Sequence, residues 1–230
     1  MTRKKIVLLI LSLFIMAGLI YIGFFLRDMS KFAKGVIEDT PKFVESLLDS
    51  EVQNGDIIFQ TSKSSQSLVI QKATDSKYSH MGIIYRQGDK LFVYEAVQPV
   101  KLTPLDSWIS RGDKGKYVIK RLKNAETILT PENLSKMKTI GDRFKGKDYD
   151  IYFEWSDDKI YCSELVWKIY KETLDIEIGN LETLKDFNLK DPIVKDKLHE
   201  RYGEKIPLNE LVISPAAMFD SDKLIIVLKN

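Results

Sequence analysis

The sequence predicts an α+β protein: a small antiparallel sheet packed against helices, preceded by one N-terminal transmembrane helix. Three observations carry that expectation. Ile6 to Leu26 run without a single charge, long enough as a helix to cross a hydrocarbon core of about 30 Å. Between residues 57 and 121, short runs rich in Ile, Val, Tyr and Phe alternate with turn signals, the pattern of paired strands. Around residue 162 the apolar residues recur instead at spacings of three and four, as on one face of a helix.

In chain order, Arg3, Lys4 and Lys5 precede the apolar run. A cleaved secretory leader has a shorter apolar core and small residues at its cleavage site, whereas Tyr21, Phe24, Phe25 and Leu26 are bulky. Residues 1–26 therefore read as an uncleaved signal anchor. The basic N-terminus favours the cytoplasm and puts the remainder outside, although Arg27, Lys31 and Lys34 on the other flank oppose that bias. Residues 27–50 read as a polar stalk and 51–230 as the folded domain.

Within the domain, Asn54-Gly55-Asp56 is a turn that launches a strand Ile57-Ile58-Phe59, followed by a short helix from Leu68 to Ala73. Two strands, Ser79–Tyr85 and Leu91–Val97, flank Gln87-Gly88-Asp89-Lys90, with Gly88 suited to the first central position of a type II′ turn. If Gly88 and Asp89 form the loop, Arg86 faces Leu91. His80 and Glu95 then fall on the same face as diagonal neighbours, and a slip of one residue would separate them. After Pro99 a turn and a short helix around Leu105 and Trp108 are expected, then a strand over Tyr117–Arg121. Thr130-Pro131 is a good helix start, for a helix reaching about Phe144. The remainder is a helix from Cys162, short charged helices and loops over 175–210, a small helix at 214–217 and a strand from Leu224 to Leu228.

Composition excludes several classes. With 44% hydrophobic and 30% charged residues the chain is an ordinary folded protein. Its 35 basic and 33 acidic side chains are well mixed, and aromatics are not interleaved with basic runs, so no nucleic-acid face is expected. One cysteine and two histidines rule out an internal disulfide framework and a cysteine-rich zinc site. No metal site is expected, and oligomeric state is left open.

That one cysteine, Cys162, falls in the first turn of an amphipathic helix whose face carries Leu165, Val166, Ile169 and Tyr170. Unpaired N–H groups and the positive end of the helix dipole gather there and favour a thiolate. A free cysteine is also simply a small buried hydrophobe. His80 and Glu95 are equally open to two readings, a structural hydrogen bond at a strand end or a base held by a carboxylate. Asp157 and Asp158, beside the cysteine, either recognise a cation or are solvated loop residues. His199 lies among charged neighbours and reads as a surface residue.

Four strings together resemble the YiiX/YebB group of bacterial proteins: GDIIFQTSKSSQSLVIQKATDSKYSHMGIIY, VYEAVQPVK, SDDKIYCSELVWKIY and VISPAAMF. The resemblance covers about residues 52–230. It implies a circularly permuted papain-like fold of the NlpC type, with histidine and acid ahead of the cysteine. It further implies a cysteine amidase or peptidase with Cys162 as nucleophile, His80 as base and Glu95 as its orienting acid, without metal or organic cofactor. Tyr161 and Tyr149 are the candidates for lining the cleft or its oxyanion side. The expected substrate is a small peptide or amide of the cell envelope, such as a peptidoglycan-derived peptide, met by a membrane-anchored, extracytoplasmic domain. Two alternatives are a lipid acyl hydrolase or acyltransferase of the same superfamily and a non-catalytic, membrane-anchored binding module.

Overall fold

The computed structural model describes residues 52–230. The predicted anchor at 1–26 and stalk at 27–50 lie outside the described residues. Among the described residues no helix is long and apolar enough to cross a membrane.

Six strands form one antiparallel sheet. They are β1 (Ile57–Gln60), β2 (His80–Gln87), β3 (Lys90–Glu95), β4 (Lys101–Pro104), β5 (Val118–Leu122) and β8 (Leu224–Lys229), in the order β4-β3-β2-β1-β5-β8. A two-stranded ribbon pairs β6 (Glu182–Thr183) with β7 (Leu211–Val212). The helices are α1 (Ser67–Thr74), α2 (Leu105–Ser110), α3 (Ala125–Ile128), α4 (Pro131–Asp142), α5 (Cys162–Leu174), α6 (Pro192–Tyr202) and α7 (Pro215–Phe219).

The β2–β3 hairpin has the expected register: Arg86 pairs with Leu91 and Ile83 with Tyr94. Gly88 closes it at φ +59°, a conformation that an L side chain resists. Alternation buries both faces of the sheet. Ile57, Phe59, Met81, Ile83 and Tyr94 join Leu165, Val166, Ile169 and Tyr170 of α5 in one core, while Ile58, Ile84 and Val93 are buried outside it. Two phenols anchor the layers: Tyr170 donates to the carbonyl of Gly55, and Tyr94 donates to that of Gly141 at 2.6 Å.

Local signals explain most helix starts. Thr130 caps α4 by accepting from Asn133 N, with Pro131 as the first helical residue, and Ser214 caps α7 in the same way through Ala217 N. Two expectations change. The stretch read as a turn before Leu105 contains an edge strand, β4, that pairs Thr103 with Val93 and Lys101 with Glu95. The strand expected to reach Val97 ends at Glu95, because the chain must turn to bring β4 back alongside.

The larger surprise is α5, buried continuously from Cys162 to Tyr170 rather than on one face. Glu164 and Lys168, spaced as an exposed helical pair would be, are 2.8 Å apart inside the protein. Lys168 also donates to Ser156 O at 2.7 Å and Asp157 Oδ1 at 2.8 Å, and Glu164 accepts from Tyr161 N at 3.4 Å. Burial pushes the Glu164 carboxyl up to about 7 against the pull of Lys168.

Removing one partner of such a pair leaves the other charge buried. Lys168→Met is expected to destabilise the protein by about 3 kcal/mol at neutral pH, read by urea unfolding, whereas Lys136→Met at the exposed Lys136–Glu132 pair leaves the midpoint in place. The sign of the pH dependence follows from linkage. A carboxyl with a higher pKa folded than unfolded stabilises at acid pH and loses that contribution as pH rises from its unfolded value through its folded one. Without Lys168 the Glu164 carboxyl rises further, so the deficit of the variant grows from pH 5 to pH 8.

Candidate active site

Cys162 opens α5 and His80 opens β2, so both stand at the same end of the sheet–helix sandwich. The hairpin register carries Glu95 to His80, where the imidazole Nε2 and Glu95 Oε2 are 2.6 Å apart. The Cys162 side chain is close enough to His80 to raise its pKa, and with Nε2 engaged by Glu95, Nδ1 is the ring nitrogen left for the sulfur. Gly82 makes room for this pairing. A Cβ there would lie 2.5 Å from Val93 Cγ1, 2.7 Å from Tyr94 O and 3.3 Å from Glu95 Cβ.

Glu95 has no exposed surface, and its second oxygen is held as firmly as the first. Thr103 Oγ1 donates to Oε1 at 2.6 Å, and the Arg111 guanidinium donates to the same atom. Burial alone would raise the Glu95 carboxyl; the hydrogen bond and charge of His80, then Thr103 and Arg111, outweigh it and hold the group below the usual range. Burial likewise lowers His80, but the hydrogen bond and charge of Cys162 and then of Glu95 prevail and raise it to about 9. Trp108, fully buried on α2, stacks beside the imidazole with ring centroids 5.8 Å apart.

Both candidate tyrosines are near the sulfur, in different circumstances. Tyr149 lies beside Cys162, and burial together with the Cys162 charge holds its phenol well above the ordinary range. Its backbone is pinned by Gln98, which accepts from Tyr149 N at 2.8 Å and donates to Asp148 Oδ1 at 2.5 Å. Tyr161, the residue before the cysteine, is buried with its hydroxyl accepting from Ile213 N at 3.2 Å. Asp157 is engaged by Lys168, so its carboxylate is committed to the fold, and Asp158 is exposed. His199 is on α6 with its nearest carboxylate, Glu204, 3.7 Å away.

Two depressions meet at Tyr149. One, almost wholly apolar, is lined by Cys162, Tyr161, Phe153, Leu198, Val212 and Ile213 among others. The other is an open cleft whose lining residues are mainly of polar type, His80, Gln60, Lys63 and Arg111 among them. Sequence reasoning gave no role at the site to Thr103, Trp108, Arg111, Gln98 or Gln60, although Gln60 and Gln98 fall within the strings that carry the resemblance.

A cysteine at the head of a central helix, facing a histidine and a glutamate from strands that precede it, is the permuted papain-like arrangement, with its α+β fold. The chain belongs to the family described as permuted papain-like amidase enzyme, YaeF/YiiX, C92 family, whose sequence model matches residues 51–228. It is 50% identical over 178 residues to the uncharacterized protein YiiX of Escherichia coli strain K12, covering 77% of this chain and 87% of that protein. The crystal structure titled metalloprotein yiiX from Escherichia coli O157:H7 is also 50% identical, with a TM-score of 0.74 over 77% of this chain and 97% of that one. Membership of an amidase family makes the protein a hydrolase.

The protein has two histidines in all, so the coupling to Glu95 is directly measurable. In Glu95→Gln the imidazolium loses both a charge partner and an ionic acceptor, and the His80 pKa is expected to fall from about 9 by one to two units. Ring-carbon NMR titration reads this, with His199 as an unshifted internal control.

Proposed function

We propose that the protein is a thiol hydrolase that cleaves an amide bond through an acyl-enzyme on Cys162. The observation that carries this reading is His80, beside the Cys162 side chain and hydrogen-bonded to a fully buried Glu95. His80 takes the thiol proton, and the sulfur attacks the carbonyl carbon. The oxyanion is met by the free N–H of Cys162 at the start of α5 and by the hydroxyl of Tyr149, two donors fixed before reaction. As the C–N bond breaks, His80 gives its proton to the departing amine. Water then attacks the thioester, losing its proton to His80, which returns it to the sulfur. Glu95 orients the imidazole and stabilises its charge. Tyr161 forms part of the wall.

The apolar depression beside the sulfur favours one substrate class among those expected. A peptidoglycan-derived peptide brings polar groups that such a lining leaves unpaired, whereas an aliphatic acyl chain matches it. We therefore read the substrate as a lipid-type amide with an aliphatic acyl group, with an acyl ester handled by the same chemistry. An anchor at 1–26 and a stalk at 27–50 would hold the domain 51–230 at the outer surface of the membrane, where such lipids are met.

The solved relative is titled a metalloprotein. Here the donor set does not fit a resident metal. Among the described residues no group of three His, Cys, Asp or Glu side chains is arranged to hold a metal ion, and each oxygen of Glu95 is already taken.

The test is iodoacetamide labelling together with hydrolysis of acyl amides by the full-length chain. Cys162→Ser abolishes both. His80→Ala slows both by about a hundredfold or more. Tyr149→Phe lowers kcat about tenfold to a hundredfold with KM little changed. An inert Cys162 in a folded protein overturns the reading.

A further inference from the structure

We propose that the polar cleft on the His80 side of Tyr149 is the leaving-group subsite, and that it takes an amine bearing an anionic group such as a carboxylate. The proposal rests on the thiol-hydrolase reading, in which His80 delivers its proton to the departing nitrogen. The amine must then lie on the side of the scissile carbonyl that His80 faces. The two depressions divide accordingly. Cys162 lines the apolar one, His80 lines the polar one, and Tyr149 lines both. The acyl chain belongs to the first and the amine to the second.

Three features set what that amine carries. Gln60, paired across the strands with His80, lines the cleft with its side chain only 1% exposed. Neither its Oε1 nor its Nε2 has a hydrogen-bond partner among the described residues. A buried amide is ordinarily satisfied, so this one offers a donor and an acceptor to something that enters. Its position depends on a glycine, for a Cβ on Gly112 would lie 2.2 Å from Oε1. The third feature is charge. Lys63 and Arg111 line the cleft, and no acidic residue does. Arg111 is joined to Glu95 by one amino group while its side chain stays 42% exposed, and Lys63 Nζ reaches only Ser110 O at 3.5 Å. Glu95 offsets one of these cations, and Lys63 is left to meet an anion. A donor, an acceptor and a cation fit the N–H and carboxylate of an acylated amino acid. An amine without an anion leaves Lys63 unused, and a cationic amine is repelled.

The experiment is isothermal titration of the full-length Cys162→Ser protein, which cannot turn the probes over. The probes are hexanoylglycine, hexanoylglycinamide and N-hexanoyl-ethylenediamine, which share an acyl chain and differ in the charge of the amine side. The expected order is hexanoylglycine about tenfold or more tighter than the glycinamide, with the diamine weakest. Lys63→Glu, a change at an exposed position, reverses that order. Gln60→Leu, close to isosteric, weakens all three while the melting temperature reports that the fold is intact. Equal affinity for the three probes, preference for the diamine, or no binding by any of them at millimolar concentration overturns the proposal. The thiol-hydrolase reading fails separately, by an inert Cys162 in the wild-type chain. Charge-selective binding with an inert thiol keeps the anion subsite and removes the reaction.

Discussion

A carboxylate with no contact with water is the constraint on which the rest of this structure turns. Glu95 ends a central strand, and a charge in that position is several kcal/mol unfavourable unless it is paired and hydrogen-bonded. Each of its oxygens therefore dictates something about the fold. One oxygen requires His80 to be its diagonal neighbour, which only one hairpin register permits. The other requires an edge strand to bring Thr103 alongside and a helix to present Arg111 at its end. A site that needs an oriented, readily charged imidazole is thus built from the groups that make a buried anion tolerable.

The same economy appears at Tyr149. Gln98 spends both halves of its amide on the backbone N–H of Tyr149 and the side chain of Asp148. Asp150, just beyond, accepts from Tyr152 N and Glu154 N. A loop tied at both sides of the tyrosine fixes it beside Cys162. Tyr149 is also the partition between an apolar space and a polar one. One side chain thereby borders both spaces.

How much of this is legible in the sequence depends on the range over which each signal acts. The hairpin is local. A glycine in the right place and an alternating pattern determine which residues face one another, and the His80–Glu95 pair follows from counting. The start of α5 is equally local, since Cys162, Leu165, Val166 and Ile169 repeat as a helix does. Thr103, Trp108 and Arg111 carry no such pattern. They matter because β4 pairs with β3 and α2 then covers the sheet, which is long-range geometry that spacing does not encode. Gln60 is a further case. Its place beside His80 comes from a β1–β2 pairing across the whole of α1, and the sign of its importance is a missing hydrogen bond, visible only when every neighbour is in place.

The Glu164–Lys168 pair shows why a correct local reading can still mislead about burial. An acidic residue four positions before a lysine is what an exposed helix surface uses, and spacing alone offers no reason to place it inside. The pair is buried because the loop carrying Ser156 and Asp157 lies over it and supplies Lys168 with two more oxygens. Trp155 of that loop packs edge-on against Trp167 at 5.3 Å, sealing the same face. The chain from Tyr149 to Ile160 is therefore fixed at one end by Gln98 and along its length by a cation on the helix that Cys162 opens. Cys162 and Tyr149 come from different elements, and this ion network ties the loop between them to α5. An apolar pair would bury more cheaply, but it would offer the loop no directional bond. The charge on Lys168 is retained for position rather than for stability.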